Sequence, residues 1–329
     1  MARIVNIRND HHGEDGIGMD PAIKPATKRF EDATPLLSQP EELRKAAKEK
    51  GYLFFKHFFS RDEIMEMRQM LLGVLEQEGL LDPSQPIMDG IGNLPLIERL
   101  KPEEINWNGI GTTQQVYHKV QKLEAFHAFA HHPKMLGMFG TLFGERAFVH
   151  PRNIARIMLP SDALKVTPPH QDFLHIQGAN ETWTCWAPMG DVPRSLGGLS
   201  ILEGSNNAGL LGVTAAEGAG GLETILCNLG FEWAEGDYEA GDIVIFHSLT
   251  VHKALPNFQP GRVRLSLDLR YQPVSQPIEN ASLLPHGPFD WEELYEGWTR
   301  EDLMYYWKQE AFEFLPFDES IRWQKDKIC

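Results

Sequence analysis

Between residues 41 and 144 apolar positions recur mainly at helical spacing, whereas beyond Gly144 they alternate or come in short bursts cut by glycine, proline and asparagine. In the first stretch EELRKAAKEK (41–50) reads as a short helix stopped by Gly51, and YLFFKHFF (52–59) as an aromatic run suited to a sheet. Ser60 and Glu63 make an S-x-x-E capping box ahead of a helix whose Ile64, Met67, Leu71 and Val74 share one face. A helical pattern follows over about 114–130, and another runs from Pro133 to Phe143 with Gly144 as its stop. Residues 82–112, with Pro83, Pro86, Pro95 and Pro102, have the chemistry of a long loop, with a helical turn at PLIERL (95–100).

The second stretch contains AFVHPRNIARIML (147–159), TWTCWAPM (182–189), GLSIL (198–202), GDIVIFH (241–247) and RVRLSLDLRY (262–271). Short strands with frequent turns imply an antiparallel sandwich or barrel. The expected fold class is therefore α+β with a mainly β core, a double-stranded β-helix (jelly roll) flanked by N-terminal and C-terminal helices. Residues 1–40 read as an N-terminal arm, 41–275 as the jelly-roll domain with its supporting helices, and 276–329 as a C-terminal aromatic-rich helical extension. Trp291, Tyr295, Trp298, Tyr305, Tyr306 and Trp307 of that extension are expected to cover one sheet.

Charge narrows the range of partners. The chain of 329 residues carries a formal net charge of −15, so nucleic acid and anionic membrane surfaces are excluded unless basic residues cluster locally. The opening MARIVNIRND lacks the apolar stretch of a secretory signal, and no run is long enough to span a bilayer, which implies a cytoplasmic protein. Cys185, Cys227 and Cys329 are widely spaced and form no C-x-x-C pair, which argues against structural zinc.

The candidate chemistry starts at PPHQDFLH (168–175), where His170 and Asp172 are separated by one residue. Alone this pattern carries little, since His12–Glu14 repeats it in the arm. A second histidine downstream changes its weight: His247 and His252 follow GDIVIF, and either would complete a face of two histidines and one carboxylate. That face leaves positions open for oxygen chemistry at non-haem Fe(II). In the strand after it, Arg262, Arg264, Ser266, Asp268 and Arg270 share one side and Val263, Leu265, Leu267 and Leu269 the other.

The series His170-Gln171-Asp172, Trp186, Gly197-Gly198-Leu199, Gly204-Ser205-Asn206, Gly241-Asp242, His247, His252, Asn257, Arg264 and Leu269-Arg270-Tyr271 resembles the phytanoyl-CoA dioxygenase family of Fe(II)/2-oxoglutarate oxygenases, over roughly residues 45–275. The resemblance implies Fe(II) held by His170, Asp172 and His252, with 2-oxoglutarate and O2 as cosubstrates. It implies Arg264 as the clamp on the far carboxylate of 2-oxoglutarate, with Arg262 as substitute, and further cosubstrate contacts from Ser266, Gln171, Lys119, Asn153 and Trp186. The reaction it implies is hydroxylation of a small organic molecule with release of succinate and CO2. Ala254 replaces a serine that some members have, and the carboxylate at Asp172 speaks against halogenation. With only Arg99 and Lys101 as basic residues in 82–112 and 204–221, the expected substrate is neutral, zwitterionic or singly charged rather than an acyl-CoA. The contrasting expectation is a non-catalytic jelly-roll binding module with a vestigial metal site.

Overall fold

The computed structural model describes residues 28–226 and 230–323. Most of the expected arm, including His12–Glu14, lies outside the described residues, as do Cys227 and Cys329. The described chain opens with β1 (Lys28–Arg29), α1 (Pro40–Lys50), β2 (Tyr52–Phe55) and α2 (Arg61–Gln77). Gly51, in the left-handed conformation, ends α1, and Ser60 and Glu63 cap α2 reciprocally. The 82–112 segment holds two single turns, α3 (Leu94–Ile97) and α4 (Pro102–Ile105), before α5 (Gln114–Gln121), α6 (Glu124–Ala130) and α7 (Pro133–Phe143).

The 114–130 run, expected as one helix, is thus broken between Gln121 and Glu124. Side chains claim the backbone acceptors there: the His127 ring donates to the Gln121 carbonyl and the Trp298 indole to that of Lys122. Both carbonyls are thereby satisfied from outside the helical ladder.

The strands that follow include β3 (Ala147–Val149), β4 (Ile154–Met158), β5 (Trp183–Pro188), β6 (Leu199–Leu202), β7 (Val213–Ala215), β8 (Leu222–Thr224), β9 (Trp233–Glu235), β10 (Ile243–His247), β11 (His252–Ala254) and β12 (Arg264–Pro273). The larger sheet has the order β2-β10-β5-β12-β3, with β4 also on β12, and the smaller one β1-β9-β6-β11. All these pairings are antiparallel except β1 with β9. This is a jelly-roll core, and among the described residues the two sheets do not close into a barrel.

Period-two alternation decides which side chain goes where. Tyr52, Phe54, Trp186, Val244 and Phe246 of the larger sheet pack between the sheets against Leu199, Ile201 and Ala234 of the smaller one. Their neighbours Leu53, Phe55, Cys185, Ile243 and Ile245 face the other way, onto Ile64 and Leu71 of α2 and Met135 and Phe139 of α7. Leu265, Leu267 and Leu269 join this helix-covered layer, which leaves the polar face of β12 turned inward. The C-terminal aromatics Trp291, Tyr295 and Trp307 pack with Phe148 of β3, but the segment is mostly 3-10 turns around one short helix, α9 (Trp291–Leu294). Its indole and phenol groups bond to backbone carbonyls, as Trp291 does to Leu283 and Tyr306 to Val149, instead of lying on the face of a long helix. Among the described residues no helix is long and apolar enough to cross a membrane.

Leu267 is fully buried between the larger sheet and its helices. Leu267→Ala should cost about 2–5 kcal/mol through lost burial and a residual cavity. Urea unfolding measures it, and an unchanged midpoint would contradict this assignment of the helix-covered layer.

Candidate active site

His170 and His252 are 82 positions apart in sequence, yet each donates its backbone N–H to the other's carbonyl, at 2.9 and 3.0 Å. Residues that exchange both bonds in an antiparallel pair carry their side chains on the same side. The rings accordingly lie with centroids 4.2 Å apart. Asp172 enters from the start of α8 (Phe173–Ile176), whose first turn uses its carbonyl as acceptor for His175 and Ile176. Its Oδ1 is 3.6 Å from His170 Nε2 and 3.8 Å from His252 Nε2, and one donor atom from each residue falls within 4.8 Å of the others.

Second contacts prepare these atoms. His170 Nδ1 lies 2.9 Å from the Pro168 carbonyl and His252 Nδ1 3.1 Å from that of Thr250. A carbonyl only accepts, so each Nδ1 carries a proton and each Nε2 is the atom turned toward Asp172. Thr184 donates to Asp172 Oδ2 at 2.6 Å, and Arg270 Nε stands 3.6 Å from that same oxygen, which leaves Oδ1 facing the imidazoles. Burial works to raise the Asp172 pKa, but Arg270 and the two histidines outweigh it and hold the carboxyl well below the usual range. Burial, with His170 beside it, pushes His252 down to about 3, so its ring is neutral. Two imidazole nitrogens and one carboxylate oxygen, buried and convergent, are a donor set for a divalent metal with open positions.

His247, the other histidine considered, is not part of this group. Its ring packs on Trp183, its Nδ1 accepts from the Leu249 N–H, and its Nε2 lies 3.8 Å from Glu181. Gln171, between two of the donors, turns its side chain away, donating to the carbonyls of Gly209 and Leu249 and accepting from the Leu211 N–H. It braces the loop that carries His170 and Asp172.

The donors sit between two hollows. A narrow cleft is lined by Thr184, Trp186, Leu199, Phe246, Ala254 and Arg264. Arg264 is buried, donates to the Gly197 carbonyl at 2.8 Å, and leaves its Nε without a partner, as does Ser266 its Oγ. Burial pulls the Arg264 pKa down to about 10. Arg262 turns out of both hollows toward Gln259, while Asn257 holds the turn by donating to the Arg262 carbonyl. Asn153 lies buried behind the strands, its carbonyl accepting from Gln121, and lines neither hollow. Lys119 projects from the outer side of α5 onto Glu78, half exposed, and is remote from both linings.

On the other side lies a cavity of about 330 Å³, lined by the donors His170 and Asp172 and by Arg152, Arg156, Arg270 and Arg322. The expectation of a mouth without basic residues beyond Arg99 and Lys101 is corrected here. Those two are exposed and line neither hollow, and the arginines arrive from the approach to β4, from β4 itself, from β12 and from the C-terminal segment. Of these, Arg270 was readable in sequence through its alternation with Arg264. Arg152 and Arg322 had no local signal. The roof comes from the 82–112 and 204–221 segments, as Asn108 and Ala219–Gly220, and His175 and Ile176 complete the lining beside them. They meet closely: a Cβ on Gly109 would stand 2.2 Å from the Ala219 Cβ, and one on Gly220 2.7 Å from the His175 ring. Both glycines have φ near +65° to +80°, so a side chain at either would be strained as well as crowded.

Known proteins share this architecture. The family model described as Phytanoyl-CoA dioxygenase (PhyH) matches residues 47–264. The 1-deoxypentalenic acid 11-beta-hydroxylases of Streptomyces arenae and Streptomyces exfoliatus are 24% and 25% identical, each match covering 75% of this chain and 86% of the relative. Among solved structures, the epimerase SnoN in complex with Fe3+, alpha ketoglutarate and nogalamycin RO superimposes with a TM-score of 0.51 at 18% identity, covering 73% of this chain and 86% of that one.

His170→Ala, Asp172→Ala and His252→Ala should each abolish stoichiometric Fe(II) binding, since two donors hold a divalent ion poorly. His247→Ala should keep it, and Thr184→Val should weaken it by roughly 10–100-fold through loss of the bond that orients Asp172. Metal content after anaerobic loading and desalting reads all five. Iron lost from His247→Ala and retained by His252→Ala would reverse the choice of histidine.

Proposed function

The chain belongs to the phytanoyl-CoA dioxygenase family, and we propose that it is an Fe(II)/2-oxoglutarate-dependent dioxygenase that hydroxylates a small organic molecule, releasing succinate and CO2. The observation that carries this reading is the buried convergence of His170, Asp172 and His252 at the junction of two hollows, one lined by Arg264, which has no carboxylate within ion-pairing distance among the described residues. When bound there, Fe(II) with 2-oxoglutarate and O2 supplies the oxidising chemistry that replaces a substrate C–H bond by C–OH. The two Streptomyces relatives are hydroxylases by name, which supports that outcome.

The protein's share is positioning. The Pro168 and Thr250 carbonyls fix the tautomers of His170 and His252, and Thr184 and Arg270 hold Asp172 by its other oxygen. Arg264 is the group for the far carboxylate of 2-oxoglutarate, because a buried guanidinium with free N–H groups is favourable only once a planar anion meets it. Ser266, two residues along the same face with an unpartnered hydroxyl, is a second donor for that carboxylate. Trp186 walls the cleft, its ring held against Tyr238. Gln171 acts through the loop it braces and Asn153 from behind the sheet, and we assign no cosubstrate contact to Lys119. A reducing, cytoplasmic setting suits the buried free thiol of Cys185.

The test is succinate formed from 2-oxoglutarate under air with Fe(II). Wild type should turn over slowly alone and faster with substrate, and none of the three donor variants should exceed background. Absence of succinate under every condition would point instead to a binding module. Arg264→Ala should weaken 2-oxoglutarate by about 2–4 kcal/mol, as truncation of one member of a buried charged pair does. Arg262→Ala should cost far less. Anaerobic titration of the Fe(II) protein, followed by its charge-transfer absorption, compares them, and equal affinity for wild type and Arg264→Ala would remove the clamp.

A further inference from the structure

We propose that the 330 Å³ cavity selects a substrate bearing one carboxylate, held between Arg152 and Arg270 with the rest of the molecule under the Asn108 and Ala219–Gly220 roof. The proposal rests on the oxygenase reading for the word substrate, but its physical basis is the unbalanced charge of the lining.

Four guanidinium groups face this cavity, and Asp172 is the single carboxylate among its lining residues. Two of the four are matched by neighbours. Arg156 Nε donates to Asp268 Oδ2 at 2.8 Å, an inward ion pair that walls the cavity from the narrow cleft, and Arg322 reaches Glu319 at 3.2 Å. Arg270 has only the long 3.6 Å approach to Asp172, and its buried Nε makes no hydrogen bond. Arg152 has no carboxylate within ion-pairing distance among the described residues. Its Nη1 donates to the carbonyls of Pro285 and Ala281, at 2.8 and 3.3 Å, which aims the fork, and its Nε and Nη2 have no protein partner among the described residues. Burial and the nearby Arg270 charge lower the Arg152 pKa, and Glu279, beyond ion-pairing distance, offsets only part of that.

The histidines of the lining add no carboxylate to it: His286 is held well below its usual value by burial, so it is neutral, and His175 leaves Nε2 unpartnered. About one guanidinium charge is therefore uncompensated at Arg152, with part of another at Arg270. That matches a monoanion whose planar carboxylate meets a planar fork. The volume lies at the lower end of ligand pockets, about 300–1,000 Å³, which suits a compact organic acid.

The clamp assigned to 2-oxoglutarate is separate. Arg264 and Arg270 are six residues apart on β12, roughly 20 Å at strand rise, and they line different hollows. Substrate anchor and cosubstrate clamp thus come from opposite ends of the same polar face.

Isothermal titration tests this with three probes of graded size, cyclohexanecarboxylate, 1-adamantanecarboxylate and decanoate, each against its methyl ester. The protein is full length, once loaded with Zn(II) and 2-oxoglutarate and once metal-free. At least one acid should bind ten-fold or more tightly than its ester, and Arg152→Gln should remove that preference while keeping 2-oxoglutarate affinity. Arg152→Lys should keep part of the preference, and Arg264→Gln should do the reverse of Arg152→Gln. The wild-type acid-to-ester comparison stands even if a variant fails to fold. The inference is overturned if acids and esters bind alike, if no acid binds, or if cyclohexyl phosphate outcompetes the acids. It is also overturned if Arg152→Gln loses 2-oxoglutarate instead. Acid preference in a protein that binds neither metal nor 2-oxoglutarate supports the anion site and defeats the oxygenase reading.

Discussion

The reciprocal backbone pair between His170 and His252 is the constraint on which the site depends. It joins the loop after β4 to the first residue of β11 in the smaller sheet, and by doing so sets both imidazoles on one side. The surrounding contacts serve that register. Gln171 ties the loop to the carbonyls of Gly209 and Leu249, and the Phe173 N–H donates to the Ser248 carbonyl. A slip of β11 by one residue would turn the His252 ring away from His170 and Asp172. This is why the donors fall together although 82 positions separate the histidines.

A second organising element is the alternation of β12. Its leucines fill the layer under α2 and α7, and its polar residues look into the core of the jelly roll, where polar groups are costly unless paired. Asp268 and Arg156 answer that cost with each other. Arg264 and Arg270 are incompletely answered within the protein, and bound anions would complete them: 2-oxoglutarate at one end, the substrate's carboxylate at the other. One strand thereby links the stability of the helix-covered layer to the recognition chemistry of both hollows. The strongly acidic chain surrounds a cationic interior, so net charge describes the surface and says little about the cavity.

The sequence revealed those features that depend on local pattern. The capping box at Ser60, the stops at Gly51 and Gly144, the strand bursts after 144 and the two faces of β12 all follow from spacing alone, and each appears in the structure. Pairing His170 and Asp172 with one of two downstream histidines needed two motifs read together, and the family resemblance is what singles out His252 from His247. What escaped depends on residues distant in sequence. The break after Gln121 is made partly by Trp298, and the compact C-terminal turns by aromatic groups seeking carbonyls on other elements. Lys119 reads as a cosubstrate ligand by motif, yet the turn of α5 points it at Glu78. Arg152 and Arg322 carry no periodic signal at all, because their convergence is created by the crossing of chain segments 170 residues apart.

Everything in the proposed chemistry requires one metal ion on three named atoms between the two hollows. Anomalous diffraction at the iron edge, from crystals grown or soaked anaerobically with Fe(II) and 2-oxoglutarate, tests this directly. One strong peak is expected at coordination distance from His170 Nε2, Asp172 Oδ1 and His252 Nε2, with 2-oxoglutarate extending from it toward Arg264. A peak centred on His247, or 2-oxoglutarate lying in the cavity of Arg152 with the cleft before Arg264 empty, would contradict it.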